Sequence, residues 1–251
     1  MIDKADVKCR FKRSVESYDD NAHVQRVIVD RLYALLTNNL ICSPRKVLEI
    51  GCGTGLLTRK LTQELKPECL FINDLVQEMC SRTAGICAIE TKKCIVGDIE
   101  EVALKENFDL IISASTFQWF CHFPETLSKL ASKLEPGALL VFSTFGEFNM
   151  HEVSSITGKG LTYYSKEKLI DLLSASFEVL RAEEQQHILY FSDPVEILLH
   201  LKKTGVNASV NEQIWTRGRI ARFSSEFEER YAMNGKYPLT YHPLYFVCRK
   251  K

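Results

Sequence analysis

The sequence predicts a doubly wound α/β fold, in which a mostly parallel sheet carries helices on both faces. Short apolar runs alternate with longer amphipathic stretches from about Pro44 to Phe145. These runs are continuously apolar, as expected of strands that helices cover on both sides. The first run ends in a glycine-rich turn at residues 51–55, just before a helical pattern begins. Together these three observations favour an open parallel sheet built from βαβ units.

The elements of this central stretch follow in a regular order. Five strands are predicted, at Lys46–Ile50, Cys69–Asn73, Lys93–Val96, Asp109–Ser113 and Ala138–Thr144. Apolar residues at helical spacing predict helices between them, at Leu56–Leu65, Val76–Ala84 and Pro124–Lys133. Pro136–Gly137 predicts a turn before the fifth strand.

The flanking segments are less regular. Val24–Leu36 is amphipathic and predicts an N-terminal helix, and Lys166–Leu173 also has a helical pattern. Phe177–Phe191 and Leu239–Arg249 are predicted as an antiparallel pair of strands on one edge of the sheet, which gives seven strands in all. Two further helices, Asp193–Lys203 and Asn211–Tyr231, are predicted between these strands.

One domain, residues 1–251, accommodates all of these elements. We expect residues 1–43 to form a helical cap, and residues 44–191 with 237–251 to form a ligand-binding core. Residues 192–236 would then be a helical insertion, placed as a lid over the active edge of the sheet.

Composition excludes several classes of protein. The 251 residues include 32 basic and 32 acidic ones, so a surface built throughout to bind nucleic acid or an anionic membrane is not expected. No apolar run approaches the roughly 20 residues that cross a bilayer, and the first residues are polar. Nine cysteines lie scattered without close pairing, which favours reduced thiols in the cytoplasm and no metal site.

The glycine-rich turn carries the strongest chemical signal. Its sequence after the first strand is G-x-G-x-G, at Gly51, Gly53 and Gly55, whereas a dinucleotide site favours G-x-G-x-x-G. Glu49 lies two positions before the first glycine, where it would repel a diphosphate but suits a ligand that bears an ammonium group. The methionine end of S-adenosylmethionine has such a group. We therefore predict that Glu49, the three glycines and Cys52 bind this cofactor; a purely structural turn is the alternative.

Further candidates follow the next three strands. Asp74, with Leu75 beside it, ends the second strand about 20 residues beyond the turn, where a carboxylate can bind ribose hydroxyls. Asp98 and Ile99 follow the third strand and suit the adenine amino group and ring. Ser113 and Ala114 end the fourth strand at the same edge. An N-cap at Asp74 and a turn carboxylate at Asp98 are the structural alternatives.

This order of motifs resembles that of class I methyltransferases over about Lys46–Phe145. The similarity extends further, because several segments outside the glycine turn resemble the malonyl-[acyl-carrier protein] O-methyltransferases of biotin synthesis. These segments are Phe11-Lys12-Arg13 through Tyr18, Phe117-Gln118-Trp119, Leu201-Lys202-Lys203-Thr204-Gly205 and Tyr237-Pro238-Leu239-Thr240-Tyr241-His242.

The resemblance implies methyl transfer from S-adenosylmethionine to the free carboxylate of malonyl-acyl-carrier protein. A carboxylate is ionised at neutral pH and needs no general base, so we expect alignment and exclusion of water to suffice. The resemblance also implies that Tyr18 closes over cofactor and substrate, although a packing role is the alternative. Gln118 and Trp119 are expected near the substrate.

A carboxylate substrate and an acidic carrier protein both favour basic partners. The late insertion offers candidates at Lys202, Lys203, Arg217, Arg219 and Arg222, although each alone could be part of a solvated helix face. Three alternatives to the implied function remain at this point. They are a methyltransferase for another small molecule, such as an aconitate-type carboxyl methyltransferase, a non-catalytic binding protein and a nucleic-acid methyltransferase.

Overall fold

The computed structural model describes residues 2–15, 18–205 and 215–251. Nine strands lie within these ranges: β1 Lys46–Ile50, β2 Cys69–Asp74, β3 Cys94–Val96, β4 Phe108–Ser113, β5 Leu134–Phe145, β6 Phe177–Glu184, β7 His187–Phe191, β8 Tyr237–Tyr241 and β9 Pro243–Lys250. Ten α-helices accompany them: α1 Lys4–Ser14, α2 Tyr18–Asn21, α3 His23–Asn39, α4 Leu56–Lys60, α5 Gln77–Cys87, α6 Phe123–Ser132, α7 His151–Thr157, α8 Lys166–Ser174, α9 Pro194–Lys203 and α10 Arg217–Tyr231.

Seven of the strands form one sheet in the order β3-β2-β1-β4-β5-β9-β6, which confirms the predicted fold class. The first five are parallel, and β9 pairs antiparallel with both β5 and β6. The strand order reverses at β1, because the chain runs outward through β2 and β3 before it returns to β4. Ligands bind at such a switch point in open α/β sheets, at the carboxyl ends of the strands.

Side chains on the two faces of β1 show why the central strands are solidly apolar. Val47 packs into one buried cluster with α3, and Leu48 and Ile50 pack into a second cluster with α6 and α8 on the other face. Glu49 lies on the same strand and is only 1% exposed. A carboxylate in this position costs stability unless it has a partner, so its presence indicates a functional role.

The two late strands are not continuous, contrary to the prediction. Phe177–Phe191 breaks after Glu184, and Leu239–Arg249 breaks at His242, so β7 and β8 form a separate two-stranded ribbon. The breaks face each other, because Leu244 pairs with Glu184 in one ladder while Tyr241 pairs with His187 in the next. The antiparallel pairing of the two segments was predicted correctly, but the pair leaves the main sheet halfway along its length.

Other differences from the sequence-based expectation are local. The predicted helix Leu56–Leu65 is present, but its second half, Leu61–Leu65, is π-helical. Pro136–Gly137 forms a bulge within β5 and not a turn, because Phe108 pairs with Leu134 while Leu110 pairs with Leu139. Helix α7 was not predicted.

The structure describes two helices, α9 and α10, of the insertion at 192–236 that was predicted as a lid. Helix α10 packs on α7, α9 and β8, and α9 packs on β7 and the short α2. The predicted helix from Asn211 begins at Arg217, and residues 211–214 of that prediction lie outside the described residues. No helix in the described ranges has the length and apolar character needed to cross a membrane.

Candidate active site

The turn after β1 is fixed by its own backbone. Gly51 has φ +72°, and a Cβ on it would lie 2.0 Å from Oγ1 of Thr116, so only glycine fits there. The amides of Gly51 and Cys52 both donate to the Asn73 carbonyl, at 2.8 and 2.9 Å. Gly53 has φ +50° but has no atom within 4 Å of its Cβ position. The turn therefore presents bare backbone to open space at Gly53.

Two buried acids flank this turn. Burial, with a smaller contribution from the neighbouring Asp74 charge, raises the pKa of Glu49 to about 8. One carboxylate oxygen of Glu49, Oε2, has no hydrogen-bond partner among the described residues. Burial also raises the pKa of Asp74, to about 6. Asp74 accepts from the amides of Gly53 at 2.9 Å and Val76 at 2.8 Å, so it joins the glycine turn to the end of β2.

The end of β3 forms the third side of the site. Gly97 donates its amide to the Asp74 carbonyl at 2.9 Å, which places Asp98 and Ile99 beside the ends of β2 and β1. Asp98 forms an ion pair of 2.9 Å with Lys4 of helix α1. Lys4 also pairs with Glu100, at 2.7 Å. The N-terminal helix is thus held over the carboxyl edge of the sheet by charge.

These elements enclose a cleft of about 810 Å³, including space open to solvent. It is lined by residues from the ends of β1, β2, β3 and β4 and from α1 and α2. They are Lys4, Val7, Phe11, Tyr18, Gly51, Gly53, Thr54, Asn73, Asp74, Leu75, Val76, Met79, Gly97, Asp98, Ile99, Ala114, Ser115, Thr116, Trp119 and Phe120. The roof of the cleft is therefore the N-terminal segment.

Two smaller cavities adjoin the cleft. One encloses about 370 Å³ and is lined by Glu49, Cys52 and Gln25, among others. The other encloses about 420 Å³ and lies between Trp119, Phe145 and Tyr163. We call this second one the acceptor cavity. Tyr18 lines the cleft and both cavities, so it lies where the three spaces meet.

Most of the cofactor residues predicted from the sequence meet in this region. Glu49, Gly51, Cys52, Gly53, Asp74, Leu75, Asp98, Ile99 and Ala114 line the cleft or the cavity beside Glu49. Two predicted residues lie elsewhere. The Ser113 hydroxyl is fully buried and donates to the Ile50 carbonyl at 2.8 Å, so it ties β4 to β1. Gly55 starts α4 with φ +87° and lines neither space.

The residues predicted on the substrate side divide in the same way. Gln118 and Trp119 both line the acceptor cavity, and the Phe11 ring meets Trp119 edge-on at 5.7 Å. The basic residues of the insertion do not line it. All of them are exposed on the ends of α9 and α10: Lys202, Lys203, Arg217, Arg219 and Arg222.

Several site residues had no signal in the sequence. Gln25, on the predicted amphipathic helix, is 6% exposed, and its Oε1 has no partner among the described residues. Thr54 donates to Asp19 at 2.6 Å and so connects α2 to the glycine turn. Asn149 and Tyr163 belong to a segment that showed no motif. Of these residues, only Gln25 could have been noticed in advance, because it is a polar residue at a core position of the predicted helix.

The residues present fit S-adenosylmethionine. The two unpartnered buried oxygens, on Glu49 and Gln25, line the same cavity and suit an ammonium group, since both are acceptors. Asp74 retains carboxylate lone pairs for ribose hydroxyls. Asp98 can accept from the adenine amino group, and Leu75 and Ile99 supply apolar contact for the ring. Among the described residues, no group of three potential ligands suits a metal ion.

These buried acids predict how cofactor affinity depends on pH. In the free protein Glu49 is mostly protonated below about pH 8 and must lose its proton to pair with an ammonium group. Affinity for S-adenosylmethionine should therefore rise between about pH 6 and pH 8, by up to about tenfold per unit. The free protein should lose stability over the same range, because an acid with a raised pKa binds protons more tightly when folded.

Isothermal titration calorimetry at several pH values measures this dependence. Proton release on binding should appear as a heat that changes with the ionisation enthalpy of the buffer. An affinity that stays constant from pH 6 to pH 8 would contradict the assignment of Glu49 to the ammonium group.

Comparisons with known proteins agree with this geometry. A family model described as a methyltransferase domain matches residues 21–207. The chain is 39% identical to the malonyl-[acyl-carrier protein] O-methyltransferase of Calditerrivibrio nitroreducens, over 97% of this chain and 96% of that protein. It is 35% identical to the protein of the same name from Bacteroides thetaiotaomicron, over 100% of this chain and 99% of that one.

Solved structures share the fold at low sequence identity. The YcgJ protein of Bacillus subtilis has a TM-score of 0.61 at 14% identity and covers 88% of this chain and 97% of its own. The N-methyltransferase NodS of Bradyrhizobium japonicum, in complex with S-adenosyl-L-homocysteine, has a TM-score of 0.58 at 15% identity and covers 98% of both chains. These likenesses extend to the sheet and its flanking helices.

Fold and site together define a methyltransferase of the S-adenosylmethionine-dependent, doubly wound class. The cleft at the switch point, the unpartnered Glu49 oxygen and the matched family model all point to this class. Within it, the chain belongs to the malonyl-[acyl-carrier protein] O-methyltransferase family, whose members it matches over nearly their full length.

Proposed function

We propose that this enzyme transfers a methyl group from S-adenosylmethionine to the free carboxylate of malonyl-acyl-carrier protein. The near full-length similarity to enzymes named for that reaction carries the proposal. The acceptor cavity supports it, because it meets the cofactor cleft at Tyr18 and is large enough for a short acyl group.

Methyl transfer to a carboxylate requires the protein mainly to align the acceptor oxygen with the methyl group. When bound, S-adenosylmethionine supplies an electrophilic methyl group on a sulfonium. The acceptor carboxylate is ionised at neutral pH, so no residue has to remove a proton. None of the described residues that line the acceptor cavity is an acid, a lysine, an arginine or a histidine. The enclosing aromatic side chains, Phe11, Trp119 and Phe145, exclude water and hold the acceptor in place.

The product explains why a cell would make this ester. A methyl ester hides the negative charge of the malonyl group, so that fatty-acid synthesis can extend the unit as an ordinary primer. In the proposed role this is the entry to the pimeloyl part of biotin. A cytoplasmic location belongs to the same proposal and is supported by nine cysteines that form no disulfide.

The carrier protein is the proposed partner. Carrier proteins of this kind are acidic, and the exposed basic residues at the ends of α9 and α10 offer opposite charge. In this proposal Lys202, Lys203, Arg217, Arg219 and Arg222 act outside the cavity, by steering the partner. They do not contact the acyl group, since none of them lines the acceptor cavity.

The direct test is methyl transfer from labelled S-adenosylmethionine to three acceptors: malonyl-acyl-carrier protein, malonyl-coenzyme A and free malonate. We expect label on the carrier protein at a kcat/KM well above that of free malonate. Efficient methylation of free malonate, with none on the carrier protein, would favour a small-acid carboxyl methyltransferase instead.

We expect the Tyr18 hydroxyl to contribute more to kcat than to the affinity for S-adenosylmethionine. Its ring lies at the junction of the three spaces, and burial keeps its pKa well above the usual range, so the hydroxyl stays neutral. Replacing it in Tyr18→Phe should lower kcat by about tenfold, the value of one lost hydrogen bond to a reacting group. The Kd for S-adenosylmethionine should change less than threefold.

Steady-state kinetics and titration calorimetry of the same preparation make this comparison. Tyr33→Phe is the matched control, because Tyr33 packs against Lys60 on α4 and does not line the cleft. Equal kcat in Tyr18→Phe and the parent enzyme would assign Tyr18 to packing alone.

A further inference from the structure

The acceptor cavity presents an unusual problem for a carboxylate. The described residues of its lining are all neutral: Phe11, Tyr18, Gln25, Ser115, Gln118, Trp119, Phe145, Asn149, Met150, Leu161, Tyr163 and Tyr241. A buried anion is costly unless it is hydrogen-bonded, and none of these side chains is a cation. Among the residues that the structure describes here, this cavity therefore offers the malonyl carboxylate of the proposed function neutral donors alone.

Asn149 and Tyr163 form a small network with a defined direction. Asn149 accepts the His242 amide on its Oδ1 at 3.2 Å, which fixes the orientation of its side chain. Its Nδ2 then donates to Oη of Tyr163 at 2.9 Å. Because the Tyr163 oxygen accepts this bond, its own proton is left to bond elsewhere. In the described part of the chain, no group accepts that proton.

Burial raises the pKa of Tyr163 to about 12, so its hydroxyl is protonated at neutral pH. It is therefore a permanent donor and not a competing anion. The bond accepted from Asn149 also polarises the hydroxyl and makes it a stronger donor. These properties suit the binding of an acceptor-only group such as a carboxylate.

Two other polar side chains of the cavity, Gln118 and Tyr241, are less suited to this task. Gln118 already directs its Nε2 to the Ser115 carbonyl at 2.6 Å, which leaves an unpartnered oxygen, an acceptor, beside the cavity. The Tyr241 hydroxyl is bonded to Nε2 of His200 at 2.8 Å. Tyr163 is thus less committed as a donor than Gln118 or Tyr241, and a hydrogen bond from the Asn149 amide holds its oxygen in place.

Resting on the proposed function, we propose that Tyr163 determines acceptor specificity by donating a hydrogen bond to the malonyl carboxylate oxygen that is not methylated. Asn149 is its positioning residue. A neutral donor holds the anion without the strong ground-state pairing that a lysine or arginine would give, so the oxygen remains nucleophilic. The ester product is uncharged and accepts a weaker bond, which favours its release.

The test is equilibrium binding of malonyl-acyl-carrier protein to the enzyme saturated with S-adenosyl-L-homocysteine, so that no turnover occurs. In Tyr163→Phe we expect the Kd for this acceptor to rise about 10- to 100-fold, as for loss of a hydrogen bond to a charged group. The Kd for the malonyl methyl ester form of the carrier protein should change less than threefold, and so should the Kd for S-adenosyl-L-homocysteine.

Two further variants sharpen the test. Tyr164→Phe is the matched control on the neighbouring residue, which is 42% exposed and does not line the acceptor cavity, and it should leave all three Kd values unchanged. The Asn149→Asp variant keeps an oxygen that can accept from the His242 amide, but its carboxylate would also accept the Tyr163 proton. We therefore expect the Kd for malonyl-acyl-carrier protein to rise in this variant, while the Kd for the methyl ester form stays the same.

The outcomes separate this proposal from the proposed function. An unchanged Kd for the malonyl form in Tyr163→Phe, or an equal loss for the acid and its ester, would overturn the role of Tyr163. If the unmodified enzyme fails to bind malonyl-acyl-carrier protein at all, the proposed function fails, and the role of Tyr163 fails with it.

Discussion

Replacing Glu49 with glutamine should weaken the binding of S-adenosylmethionine by about 100-fold, since it removes the charge that pairs with the ammonium group in a buried site. The same change should stabilise the free protein, by about 1–3 kcal/mol near pH 7. The reason is that burial raises the pKa of Glu49 to about 8, so folding at that pH requires an unfavourable proton uptake. The pH dependence of affinity between pH 6 and pH 8 should flatten as well.

Titration calorimetry and thermal unfolding of Glu49→Gln measure the two opposite effects. Glu68→Gln is a suitable control, because Glu68 is exposed just before β2 and should change neither quantity. A variant that loses stability and keeps its cofactor affinity would mean that Glu49 is a structural residue.

The second large effect is expected from two glycines of the same turn. In Gly51→Ala the new Cβ would meet the Thr116 side chain at 2.0 Å in a backbone with φ +72°, so the free energy of unfolding should fall by about 3 kcal/mol or more. In Gly53→Ala there is no such contact, and only the strain of φ +50° remains, which costs about 1–2 kcal/mol.

Cofactor affinity should distinguish the two variants as well, because we expect Gly53→Ala to fold but to bind the cofactor more weakly. Both glycines line the cleft and the cavity beside Glu49, but only the Cβ position of Gly53 has open space around it. The methyl group of Gly53→Ala should therefore occupy ligand space and lower affinity in a protein that still folds. Denaturant unfolding and ligand titration of both variants decide the matter. Equal stability losses at the two positions would show that the contact with Thr116 does not constrain the turn.

Most of the residues predicted to bind the cofactor lie together in the structure, because the ends of strands are easy to recognise in a sequence. Glu49, Asp74 and Asp98 each lie at a fixed place relative to an apolar strand, and parallel strands bring their carboxyl ends to one edge. Ser113 shows the limit of that logic. At a strand end, adjacent side chains point to opposite faces, and the Ser113 hydroxyl bonds to the Ile50 carbonyl within the sheet.

The substrate side could not be predicted in the same way. The negative charge of the substrate and of the carrier protein suggested that basic residues of the insertion bind them. In the structure, α9 and α10 pack against α7 and the β7–β8 ribbon, and those basic residues lie on the surface. The ribbon exists because the chain leaves the main sheet after β6 and returns to it before β9, at breaks that face each other. No local motif marks this long-range pairing. Asn149 and Tyr163 meet only through that arrangement, since the backbone of His242 orients Asn149.

The proposed acceptor is a carboxylate on a carrier-bound malonyl group, so the transferred methyl group should be found in a methyl ester. Malonyl- and acetyl-acyl-carrier protein are each incubated with enzyme and methyl-labelled S-adenosylmethionine, and the reisolated carrier protein is treated with mild base. We expect label on malonyl-acyl-carrier protein alone, and we expect base to release that label as methanol. Label that resists base, or equal label on the acetyl form, would contradict it.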